Sequence, residues 1–158
     1  MGVLTTPTFT PLKRQTLPRL LTMARDKWNW NCGPTALAGL LELHPGVLKH
    51  HLGDFEARGH MNITMMAAAL QSAPGGAVYV KRLAHQLDHW PLRSIARIQM
   101  GGPWLRPGVP ARVAYAHTHW VATSPDREGL PHVFDVNALH LGWVRKKWWW
   151  ESVMRDLV

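Results

Sequence analysis

Hydrophobic and polar positions divide the chain into two regimes. In "CGPTALAGLLELH", Ala36, Leu37, Leu40 and Leu41 recur at helical spacing. Pro34 suits a first helical turn, where its missing N–H costs nothing. His44-Pro45-Gly46 stops the pattern. "GVLKHHLGDFEARG" reads as a short helical piece and a loop. "NITMMAAALQSA" predicts a second helix, capped by Asn62 or Thr64, with Ile63, Met66, Ala67 and Leu70 as its apolar stripe. Pro74-Gly75-Gly76 ends it.

The period then shortens. "AVYVKRL" and "RSIARIQM" read as strands, and "GGPWLRPG" as a loop. "VPARVAYAHTHWVATSP" reads as a strand with Val113, Tyr115, His117 and His119 on one face and Ala114, Ala116 and Trp120 near the other. "PDREGLP" is a turn and "HVFDVNA" another strand. "GWVRKKWWWESVMRDLV" closes with a strand or loop and a final helix. Residues 1–24, with Pro7, Pro11, Pro18 and several threonines, read as an extended arm. Helices first and strands later predict one α+β domain over residues 1–158, with an antiparallel sheet. No internal repeat is evident.

Composition narrows the setting. At 158 residues the chain suits a single domain. A domain of that size buries about 70% of its unfolded surface and needs no disulfide or metal to hold it. A single cysteine makes no internal disulfide and fits a reducing compartment. No apolar run approaches the roughly 18 residues of a membrane helix, and the N-terminus lacks the apolar block of a signal peptide. The expectation is a cytoplasmic protein with no membrane partner. The net charge of +8 favours anionic partners, although the charges are scattered apart from small clusters at Lys13-Arg14 and Arg145-Lys146-Lys147. Solubility and non-specific adhesion to anions account for it.

The lone thiol sits in "WNWNCGPTALAGLL", where an irregular segment becomes a helix. A helix start offers unpaired N–H groups and positive dipole, which favour a thiolate. The same N–H groups can hold an oxyanion during acyl transfer. Gly33 permits close approach of substrate. Ala36, Ala38 and Gly39 let the helix pack tightly on a sheet. A thiol catalyst also needs a base and an orienting group, distant in sequence but close in space. "HTHWVAT" supplies His119, and "VFDVNA" supplies Asp135 and Asn137, which two-residue spacing barely separates. Adjacent antiparallel strands make a His–Asp pair geometrically natural.

"NCGPTALAGLL…HTHWVAT…VFDVNA" resembles the papain-like cysteine peptidase superfamily, over residues 26 to about 140. It is most similar to the compact bacterial and phage type that includes the leader-peptide peptidases of bacteriocin exporters. The resemblance implies a papain-like fold with the cysteine helix on an antiparallel sheet. It implies a peptide or protein substrate and a bacterial or phage-infected host cell. It makes Cys32 the nucleophile, His119 the base and acid, and Asp135 the orienter, in preference to Asn137. No cofactor is implied. Such peptidases carry a Gln about six residues before the cysteine, where this chain has Asp26. Asn29 or Asn31 could supply the missing oxyanion donor, or Gln15 from the arm. Otherwise the hole is weak and the protein acts on an easier substrate, or it is a catalytically idle module that binds a protein or nucleic acid through its basic, Trp-rich surface.

Two further signals bear on the site. The chain has ten histidines; His117 and His119, with Asp135, and separately His85 and His89, offer ligand types at metal spacing but no dense metal motif. His117 is expected to line the same cleft as His119. Nine tryptophans are many for this length. Trp28, Trp30 and Trp120 flank the site residues and can wall a substrate cleft. Trp148-Trp149-Trp150 beside Arg145-Lys146-Lys147 reads as core or as an anion-binding surface.

Overall fold

The structure, a computed structural model, describes residues 16–76 and 93–154. The expected strand "AVYVKRL", the pair His85 and His89, and Gln15 lie outside the described residues. The described chain is α+β: helices α1 (Leu17–Trp28), α2 (Cys32–Leu41), α3 (Pro45–Leu48), α4 (Phe55–Arg58) and α5 (Ile63–Ser72) precede a four-stranded antiparallel sheet. Its strands are β1 (Ser94–Gln99), β2 (Thr118–Pro125), β3 (Pro131–Phe134) and β4 (Trp143–Arg145), paired in chain order. A short helix α6 (Ala111–Ala116) precedes β2, and α7 (Lys146–Ser152) follows β4.

Three expectations are corrected. The extended arm to residue 24 is instead helical from Leu17, with Leu17, Leu21 and Ala24 buried on one face of α1 and Pro18 in its first turn. The long strand over "VPARVAYAHTHWVATSP" begins only at Thr118. Residues 111–116 form α6, which buries no side chain and therefore has no sheet face to alternate against. Three alanines in six residues favour the helix. Gln99 Nε2 anchors its end by donating to the carbonyls of Ala114 and His117, each at 3.0 Å. In α5, Ile63 is exposed, and Met66 and Ala69 are the buried residues.

The sheet is covered on both sides. Trp120, Ala122 and Phe134 face the core that holds α1, α2 and α5. Val121 and Val133, alternating with them, face a second core with Trp149 and Met154. Gly39 makes the first contact possible: a Cβ there would stand 2.4 Å from the Phe134 ring. α2 is buried along nearly its whole length, as its continuous small and apolar composition requires.

Candidate active site

Asn31 starts α2 by accepting the N–H of Gly33 at 3.3 Å, while its Nδ2 donates to the carbonyl of Gly59 at 2.8 Å. Cys32 is thereby fixed as the first helical residue. Pro34 has no N–H, Gly33 is capped, and Thr35 N–H reaches the Asn31 carbonyl at 3.2 Å. By helix geometry the Cys32 N–H is the first-turn donor left over.

The thiol meets β2 at its start. Its electrostatic partners are the His119 imidazole and the backbone N–H of Trp120, both of which favour the thiolate. His119 Nε2 lies 2.9 Å from Asp135 Oδ1, with both groups buried. Nδ1 is therefore the ring nitrogen left for the sulfur. Asp135 also accepts the Asn137 N–H at 2.8 Å on Oδ1 and the Trp149 indole N–H at 2.7 Å on Oδ2.

These contacts set the charges. Burial pushes the Cys32 thiol up, but the His119 hydrogen bond, the Trp120 N–H and the imidazolium charge outweigh it and hold the thiol below its ordinary value. Burial pushes His119 down, but the bonds to Asp135 and Cys32 raise it to about 9. Burial pushes Asp135 up, yet His119, the Asn137 N–H and the Trp149 N–H hold it below the usual carboxylate range. Together these directions favour a thiolate–imidazolium pair beside an ionised carboxylate.

The register explains why Asp135 reaches His119. The ladder that pairs Ala122 with Phe134 would, if continued, set Asn137 across from His119. The expected strand over "HVFDVNA" instead ends at Phe134, and Asp135 caps a 3₁₀ segment, Val136–Leu141. The chain turns away, leaving the Asn137 side chain exposed and the Asp135 carboxylate at the imidazole. Asn137 thus contributes its backbone N–H to Asp135.

The expected cleft residues divide. Trp30 is a core residue, 1% exposed, and Trp120 is buried with its Nε1 donating to the Met61 carbonyl at 3.0 Å, so neither walls a cleft. Gly33 is buried against Met61, where a Cβ would stand 2.9 Å from the Met61 Cβ; packing, not substrate approach, requires glycine there. His117 lies before β2, exposed, and stacks on Trp104 at 3.6 Å, so it does not share a strand face with His119. Trp28 is partly buried against Trp30, with Lys49 Nζ 4.9 Å from its ring centre. Asn29 is exposed in a left-handed conformation at the end of α1. Asp26 is exposed beside Arg25, its carboxylate directed to solvent. Trp149 is the site residue that sequence reasoning missed. Three consecutive tryptophans offered no means of choosing the middle one.

Among the described residues, no group of three or more His, Cys, Asp and Glu side chains is placed to hold a metal ion, and no helix is long and apolar enough to cross a membrane. No protein-family model, curated protein or solved structure matches the chain.

Proposed function

We propose that this protein is a thiol-dependent hydrolase of papain-like type, acting on an amide or isopeptide bond of a peptide or protein. The observation that carries the reading is the buried His119–Asp135 pair at 2.9 Å, with the Cys32 thiol electrostatically coupled to the same imidazole. In the reaction, the Cys32 thiolate adds to the carbonyl carbon and the carbonyl oxygen becomes an oxyanion. The Cys32 N–H, the unpaired donor at the helix start, stabilises that charge. Collapse expels the amine, which takes the proton from His119. Water then gives a proton to His119 and adds to the thioester, releasing the acid and restoring the thiolate. Asp135 holds the imidazole by Nε2 throughout, so Nδ1 performs both transfers. A cytoplasmic setting in a bacterial or phage-infected cell belongs to the same reading.

The test is alkylation of Cys32 by iodoacetamide across pH, with hydrolysis of a peptide library scored beside it and Cys32→Ser as control. Alkylation that persists well below the ordinary thiol range, with cleavage lost in Cys32→Ser, is the expected result. A thiol that reacts only above about pH 8.5, as a free cysteine does, together with no cleavage, overturns the reading.

A second reading rests on a pocket of about 500 Å³ lined by Arg145, Lys146, Lys147 and Trp150. Its cations and indole suit an anionic protein or nucleic acid, and the module then binds without catalysing. An inert Cys32, with salt-sensitive binding lost in Lys147→Glu, would favour it.

A further inference from the structure

We propose that Trp149 is a positioning residue of the Cys32–His119–Asp135 site, fixing the Asp135 carboxylate from the layer opposite the nucleophile. The proposal rests on the hydrolase reading for its purpose, but its geometry is independent of any substrate.

A carboxylate held by one imidazole remains free to rotate about its terminal bond. Asp135 is held on both oxygens. Oδ1 receives His119 and the Asn137 N–H, and Oδ2 receives the Trp149 indole at 2.7 Å. Both Asp135 and Trp149 are fully buried, where no water competes for the second oxygen. The bond therefore sets the plane of the carboxylate, and through it the plane of the imidazole.

The donor comes from α7, which belongs to the second core with Val121 and Val133. The nucleophile comes from α2 in the first core. The site thus spans the sheet: thiol from one layer, base on the sheet itself, and the carboxylate clamp from the other layer. Helical geometry selects the middle indole of the tryptophan run. Trp148 and Trp150 are exposed on α7, whereas Trp149 points inward. The titratable groups facing Asp135 and His119 are each other and Cys32.

The decisive variant replaces Trp149 with 3-benzothienylalanine, which keeps the ring shape and puts sulfur in place of the N–H. The readouts are the pH profile of Cys32 alkylation by iodoacetamide and the thermal unfolding midpoint. Expected is a loss of about tenfold in alkylation rate near pH 6.5, the usual scale for one hydrogen bond to a charged group, with the acid limb moved upward. The same replacement made in Asp135→Ala should leave the limb where Asp135→Ala alone puts it. An acid limb identical to that of the unmodified protein overturns the proposal. Should the variant not fold, the unmodified protein answers: the ¹⁵N-labelled Trp149 indole resonance must titrate with the midpoint of His119, and a resonance that stays flat through that midpoint refutes the coupling. A Cys32 that never alkylates would remove the hydrolase reading while the indole titration still tests Trp149.

Discussion

His119 Nε2 and Asp135 Oδ1 meet at 2.9 Å because β3 stops one residue before the carboxylate. Their pairing depends on a strand end, not on a strand. A ladder extended by three residues would have placed Asn137 opposite the imidazole.

Replacing Asp135 should therefore cost both stability and thiol reactivity. Asp135→Ala leaves the imidazole and the Trp149 indole N–H buried without their acceptor, for about 3–5 kcal/mol. Asp135→Asn keeps the shape but retains only one acceptor oxygen for donors on two sides, for about 1–3 kcal/mol. Urea unfolding measures both. A midpoint unchanged in either variant contradicts the buried network.

The pair also predicts a pH profile of stability. His119 is raised from 6.5 to about 9, and Cys32 is lowered from 9.0. Taken alone, the raised His119 gives stability that is complete below 6.5 and lost as pH rises toward 9. The lowered Cys32 gives stability that grows as pH rises toward 9.0. Between 6.5 and 9 the two slopes oppose each other. Below 6.5 the His119 contribution is complete, while the Cys32 contribution is lost as pH falls through its lowered folded value. Asp135 adds a further loss as pH falls below 3.8 through its lowered folded value. Unfolding midpoints in urea from about pH 3 to 9 check this, and Cys32→Ser should remove the part of the acid loss that comes from the thiolate.

The two asparagines before Cys32 should separate. Asn31 caps α2 and ties it to Gly59, so Asn31→Ala is expected to lose about 1 kcal/mol of stability. Asn29, exposed at the end of α1, has no such role to lose beyond its left-handed backbone. If Asn29 supplied an oxyanion donor, Asn29→Gly would lower turnover of an amide substrate about a hundredfold while leaving alkylation intact. Equal turnover in Asn29→Gly and the parent protein leaves the Cys32 N–H as the principal donor.

Gly39 should be intolerant of any side chain. A Cβ would lie 2.4 Å from the Phe134 ring, and Gly39→Ala should cost about 1–3 kcal/mol by overpacking. Adding Phe134→Leu, which shortens the opposing group, should recover part of that loss. Additive losses in the double variant would mean the two residues do not touch.

The candidate site residues were legible because their chemistry is carried by residue type and local pattern. A single cysteine after an asparagine cap, before a run of small residues, marks a helix start packed on a sheet whatever the rest of the chain does. The early-strand position of His119 and the turn at "PDREGLP" set up the antiparallel pair that brings Asp135 near. Alternation misread residues 111–117, since Val113, Tyr115 and His117 mimic a strand face although none of them is buried. The helical spacing of Leu17, Leu21 and Ala24 was present, but the prolines and threonines around it hid it. What tertiary structure alone decided is how each polar and aromatic group is used. Trp30 and Trp120 fill the core that α2 shares with the sheet, and Asn137 yields to Asp135 because β3 ends early. Trp149 reaches the carboxylate because α7 folds onto the second face of the sheet. Periodicity reports which side of an element is apolar. Which buried donor meets which acceptor depends on register and on where strands end, and those are settled only when separate elements pack together.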